Sequence, residues 1–134
     1  MVFACNALPG MSLAFPDTCN TVVGPATVPL PYPNMATATT ATPASANVLL
    51  AVAPAHTMMS SEPLTNGDQS GISGGGAVAC GGISQPCRSL MGCVGININF
   101  LPARNSFKPT LQNNINAPGA TALTPCQPFV LFLR

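Results

Sequence analysis

Proline punctuates this chain so densely that a long helix has no place in it. Fifteen Pro and twelve Gly are spread over 134 residues. Proline removes a backbone donor and clashes with the preceding helical turn, and glycine adds chain entropy that folding must remove. Hydrophobic residues nevertheless make up 47% of the chain, too many for disorder. Apolar content without helical periods reads as short strands and tight turns, so the expected fold class is all-β. The length suits one domain, residues 1–134.

Along the chain, residues 1–13 show no clear period and read as a lead-in. Val28-Pro29-Leu30-Pro31-Tyr32-Pro33-Asn34 places proline at alternate positions. Such a stretch is extended, polyproline-like or an edge strand, since every second residue lacks a ladder donor. Met35 to Ser45, rich in Ala and Thr, reads as a surface-following connector. Three strand candidates follow: Asn47–Val52, Val94–Phe100 and Phe129–Leu133. In the second, Val94, Ile96, Ile98 and Phe100 alternate with a period of two and are expected to face one side. Asn66-Gly67-Asp68 is a turn signal, and Asn113 to Ala120 is a turn-rich connector. The glycine-dense stretch from Gly71 to Gly82 lacks the Lys-Ser/Thr of a phosphate loop, so close backbone packing is the better reading.

Only seven side chains are charged: Asp17, Glu62, Asp68, Arg88, Arg104, Lys108 and Arg134. A surface so poor in charge suits a protein covered by a partner or used in an assembly. The basic residues are scattered and Trp is absent, which argues against nucleic-acid binding. The longest apolar run, Val48 to Ala55, is too short to span a membrane and contains Pro54. No cleaved leader is visible at the N-terminus, so a reducing compartment is expected.

The strand candidates resemble one another. With Pro54 set against Pro102, Val48 meets Ile96, Leu50 meets Ile98, Val52 meets Phe100 and Ala55 meets Ala103. The C-terminal strand fits when Phe129 is set on Ile96, Leu131 on Ile98 and Leu133 on Phe100. Ser45, Cys93 and Cys126 then fall at equivalent positions. Three similar strands in one chain predict pseudo-threefold symmetry, which suits a monomer seated on a threefold-symmetric trimer.

Several motifs carry a family resemblance. Ala14-Phe15-Pro16-Asp17-Thr18-Cys19, the Pro29, Pro31, Tyr32, Pro33, Asn34 segment, Pro54-Ala55-His56, Gly67-Asp68, Pro102-Ala103-Arg104 and Pro125-Cys126-Gln127 together resemble the PAAR-like domain of bacterial type VI secretion. The resemblance implies a small conical or pyramidal arrangement of β-hairpins whose base sits on the blunt end of the trimeric valine-glycine-repeat spike. It implies one cap per trimer and no catalysis. It also implies assembly in the bacterial cytoplasm, export with the spike and delivery of effectors, with a separate effector or adaptor as a further partner. The chain stops after its last strand candidate, so no toxin extension is expected.

Standard members of the family hold zinc with histidines and a cysteine, whereas this chain has one histidine, His56. A structural zinc would need Cys80, Cys87, Cys93 and Cys126, with His56 or Cys19 as substitutes. Relatives usually carry serine where Cys87, Cys93 and Cys126 stand, which suggests cysteines that meet in space. Zinc binding, at least one disulfide among Cys80, Cys87, Cys93 and Cys126, and free buried thiols all stay open. His56 itself reads as a ligand or as a hydrogen-bonded turn histidine. Two other functional classes compete with the spike reading. One is a secreted, cysteine-stapled structural or adhesive protein, which would need an export signal. The other is a small Cys/His hydrolase, which lacks the motifs such a nucleophile needs.

Overall fold

The computed structural model describes residues 2–132. Twelve strands and two short 3-10 turns make up its regular structure. The longest unit is a hairpin of β2 (Met11–Val23) and β3 (Ala26–Thr37), paired from Val23 and Ala26 at the turn back to Met11 and Thr37. Gly24 takes the left-handed conformation in that turn. Pro29, Pro31 and Pro33 fall on β3, the end strand of its sheet. Alternate residues aim their nitrogens at the same edge, so one free edge absorbs every missing donor.

After a 3-10 turn at Ala38–Thr40 come β4 (Thr42–Leu50) and β5 (Ala53–Glu62). A second 3-10 turn, Gln69–Gly74, leads to β6 (Gly76–Ala77), and β7 (Cys87–Ser89) follows. Next are β8 (Asn97–Ile98), β9 (Leu101–Pro102), β10 (Thr110–Gln112), β11 (Ala117–Thr124) and β12 (Leu131–Phe132). The main sheet runs β3-β2-β11-β10-β7-β5-β4, with β6 added on β2. Strand β1 (Val2–Phe3) pairs with β12, and β8 pairs with β9.

The interior is unusual in what it buries. Its apolar part is mostly Ala and Cys, including Ala4, Ala14, Ala55, Ala103, Cys19 and Cys87. The largest fully buried side chains are polar: His56, Gln112, Gln127, Glu62, Asn6 and Asn34 lead them. Large apolar side chains such as Phe15, Val94, Phe107 and Phe129 face outward. Small residues let backbones approach closely, and the buried polar groups then hold segments together by hydrogen bonds.

The predicted repeat is real in its first two copies. Leu50 pairs with Ala53 and Leu49 with Pro54; Ile98 pairs with Leu101 and Asn97 with Pro102, in the same register. Both hairpins turn through two successive left-handed residues, Ala51-Val52 and Asn99-Phe100, the backbone of a type I′ turn. The third copy is built differently from the expectation. It joins the two ends of the chain, with Leu131 opposite Phe3 and Phe132 opposite Val2. Phe132 therefore matches Leu50 and Ile98, and the expected frame is off by one residue. Gln127, not Cys126, takes the place of Ser45 and Cys93: it donates to the Ala4 carbonyl at 2.9 Å, where Cys93 donates its N–H to the Ala103 carbonyl.

The three copies meet in a closed ring. The Cys5 N–H donates to the Arg104 carbonyl, the Arg104 N–H to the His56 carbonyl, and the His56 N–H to the Cys5 carbonyl, each at 3.0 Å. The flanking bridges repeat the pattern: Ala4 with Asn105, Ala103 with Thr57, and Ala55 with Asn6. Phe3-Ala4-Cys5-Asn6, Pro54-Ala55-His56-Thr57 and Pro102-Ala103-Arg104-Asn105 are thus equivalent, and the chain has pseudo-threefold symmetry at this level. Ala55, Cys93, Ile98 and Ala103 form an apolar cluster beside the ring, with Val48, Leu50, Ile96 and Phe132 packed on it.

Other sequence expectations need correction. Residues 2–6 are part of the ring rather than a lead-in. Met35 to Ser45 is not a surface connector: it ends β3, turns and begins β4, with Ala36, Ala38 and Ala41 buried. Val94 to Phe100 is not one strand, since only Asn97–Ile98 is extended and only Ile98 of the alternating set is buried. Asn113 to Ala120 is half turn and half strand, β11 starting at Ala117. Leu133 of the last strand candidate lies outside the described residues.

Candidate functional site

Residues singled out as motif positions converge on one buried polar node. Asp17 and Asn34 lie on paired strands, and Asp68 follows the Asn66-Gly67 turn. Gly67 has a φ of +132°, and a Cβ there would lie 2.0 Å from the Pro33 carbonyl oxygen. Only glycine lets that turn press against β3 and deliver Asp68 to Asp17. Asp17 accepts from the side-chain amides of Asn34, Asn113 and Asn116. Asp68 accepts the Ser84 N–H at 3.0 Å and the Asn113 amide at 2.7 Å. Asn113 thus bridges both carboxylates, and its own carbonyl accepts the Gln85 N–H. Burial raises the pKa of Asp68, with Asp17 adding to the rise against the hydrogen bonds that lower it. Asn113, Asn116 and Ser84 are members that sequence reading missed. The one signal for Asn113 and Asn116 is an Asn-rich turn far from the motif in sequence, and Ser84 carries none.

Cys19 sits beside this node, and Gly71 lies so close that a Cβ would be 2.4 Å from the Cys19 Cβ. That confirms close backbone packing for this glycine. Burial first, then Asp17 and Asp68, pushes the Cys19 thiol up to about 12. Asp17, Cys19 and Asp68 bring three ligand-type atoms within 4.8 Å of one another, the one such group among the described residues. The carboxylate oxygens are already held by amide N–H donors, which a cation would have to displace.

The second cluster lies at the ring. His56 is 0% exposed, and neither ring nitrogen has a hydrogen-bond partner among the described residues. It is on β5 and unbonded, so of the two readings the sequence left open, that of a hydrogen-bonded turn histidine does not hold. Burial and the Arg104 charge lower its pKa to about 4. Arg104 pairs with Glu62 at 2.8 Å, both nearly inaccessible, and donates to the Ser60 carbonyl. Cys87 packs by this pair, and burial, with Glu62 next, pushes its thiol up to about 12. Cys5 and Cys126 share a cavity of about 30 Å³ with His56, Glu62, Arg104 and Gly10, room for roughly one water.

The cysteines do not gather as expected. All six are free thiols. Cys80 donates to the Asn113 carbonyl at 3.4 Å, Cys87 lies by Glu62, Cys93 accepts from Asn105 at 3.0 Å and Cys126 contacts Cys5. Cys80, Cys87, Cys93 and Cys126 form no four-ligand set, and the substitutes His56 and Cys19 sit in different clusters. The family's zinc therefore does not fit the expected residues, and no disulfide links them. Only Cys87 lies on a strand; Cys80, Cys93 and Cys126 lie in loops whose polar partners differ.

Among the described residues, no helix is long and apolar enough to cross a membrane. No curated protein and no solved structure matches the chain. The family model for the toxin PAAR-like domain matches residues 10–119. That span contains the whole polar node and two of the three ring strands, and the chain accordingly belongs to the toxin PAAR-like domain family.

Proposed function

We propose that this chain caps a type VI secretion spike by binding the blunt end of a trimeric valine-glycine-repeat protein, one copy per trimer. Membership in the family ties the chain to the spike-associated, toxin-related proteins of that system. The observation that carries the finer reading is the closed ring through Cys5, His56 and Arg104. It gives one chain three similar faces, which a threefold trimer can engage together.

The hairpin turns supply apolar contacts. Val52 is 91% exposed and Phe100 is 100% exposed, at equivalent places in the two hairpin turns. Both sit at positive φ, where a β-branched or bulky side chain is strained. Strain kept at exposed apolar positions favours a contact made outside the chain. The role is structural and asks for no catalysis. In this reading the cap is assembled in the bacterial cytoplasm and leaves with the spike, helping to load or deliver effectors.

Native mass measurement on a mixture of cap and spike trimer tests the proposal. One cap per trimer is expected. Three caps per trimer, or no complex, overturns it.

A further inference from the structure

One repeat of the ring differs from the other two in its covalent structure. The β4–β5 and β8–β9 hairpins are each closed by a chain turn. The third repeat is closed by pairing alone, because β1 and β12 come from opposite ends of the chain. Their antiparallel register continues beyond the strands. The Ala4 N–H donates to the Val130 carbonyl at 3.0 Å, and Gln127 reaches the Ala4 carbonyl. Cys126, next to Gln127, and Cys5, next to Ala4, are thereby brought together on one small cavity, where each thiol shifts the titration of the other. Gly10 leaves the space: a Cβ there would lie 2.8 Å from the Cys126 Sγ.

We propose that Cys5 and Cys126 are a disulfide site, closed by exchange with a low-molecular-weight disulfide such as glutathione disulfide, that fastens the third repeat covalently. Cys126 is half-buried and Cys5 is buried, so Cys126 meets the oxidant first. The Cys5 hydrogen bond, the Asn6 backbone N–H and Arg104 lower the Cys126 pKa against the effect of burial, which favours its thiolate as the nucleophile. It attacks one sulfur of glutathione disulfide and releases glutathione thiolate, leaving a mixed disulfide. The Cys5 sulfur, losing its proton, then attacks the Cys126 sulfur and expels the second glutathione. In balance, two protein thiols and one glutathione disulfide become one protein disulfide and two glutathione thiols. Of the other thiols, half-buried Cys80 is occupied with the Asn113 main-chain carbonyl, and three are held back by burial. Cys19 and Cys87 are buried with pKa values near 12, and burial raises Cys93 as well.

The inference stands apart from the spike reading, and its test needs no spike. The full chain is incubated with glutathione disulfide at neutral pH, alkylated, digested with pepsin without reduction and analysed by mass spectrometry. A peptide pair joined through Cys5 and Cys126 is expected, lighter than its two parts by two hydrogens. The oxidised protein should melt roughly 10 °C higher than the reduced one, and a reductant should reverse this. Cys126→Ser should lose both the cross-link and the shift. A persistent Cys126–glutathione adduct, a different cysteine pairing, or full alkylation of both thiols overturns the proposal. Cys5→Ser reports separately: its Cys126 should stop at the glutathione adduct, and an unmodified Cys126 in that variant also overturns it.

Discussion

Buried side chains in this molecule stand or fall by their partners. The Glu62–Arg104 pair is nearly sealed from solvent, and removing one member of such a pair typically costs about 3–5 kcal/mol, because the other charge is left uncompensated. His56 is the counterexample, buried with no hydrogen-bond partner for either nitrogen among the described residues. Burial and Arg104 hold its pKa near 4, against about 6.5 in an unfolded chain. Between those values the unfolded chain takes up a proton that the folded one refuses. Stability therefore falls as pH drops through this window, by up to about 3 kcal/mol. Asp68, raised by burial, works in the opposite direction in acid, so a variant is needed to isolate the histidine. Denaturant midpoints at neutral pH and near pH 4.5 should draw closer in His56→Gln than in the parent. Equal acid sensitivity in both would remove His56 as the cause.

At the scale of elements, the two type I′ hairpins pose a conflict between fold and use. Val52 and Phe100 occupy left-handed positions that cost a residue other than glycine about 1–2 kcal/mol. Phe100→Gly should therefore stabilise the isolated chain by about 1 kcal/mol. If the turns meet the spike, the same change should weaken binding at least about tenfold by losing a buried aromatic. Calorimetry of the variant alone and with the trimer reads both effects. A more stable variant that binds as well as the parent would remove the hairpin turns from the docking face. These turns also show what was legible beforehand. The Pro-Ala-His and Pro-Ala-Arg segments revealed two repeats because each repeat is continuous in sequence. The third was misread by one residue because its strands lie at the two chain ends, and no local pattern records that Phe3 meets Leu131. The polar node was half legible for a similar reason. Asp17, Asn34 and Asp68 belong to conspicuous motifs, while Asn113 and Asn116 arrive from a turn with no hydrophobic period to place it. The cysteines misled most, since composition counts thiols but topology decides which of them meet.

For the whole molecule, the inversion of polarity is the governing fact. Hydrogen-bonded Asn, Gln and Asp side chains, together with His56, fill space that Leu and Phe fill in ordinary domains. Many large apolar side chains are thereby left outside, on a chain with a net charge of +1 and a sequence pI near 7.6. Little long-range repulsion keeps such surfaces apart near neutral pH. The free protein should consequently self-associate as concentration rises, most strongly around pH 7.6, and less in mild acid as the net charge grows. Sedimentation velocity across a concentration series would show the mean mass rising at neutral pH. On the proposed capping role, addition of the spike trimer at one cap per trimer should suppress that association, because an apolar docking face would then be covered. A free chain that stays monomeric at high concentration would mean that its exposed apolar residues are too dispersed to form a sticky face. The spike contact would then have to rest on backbone and polar groups around the ring.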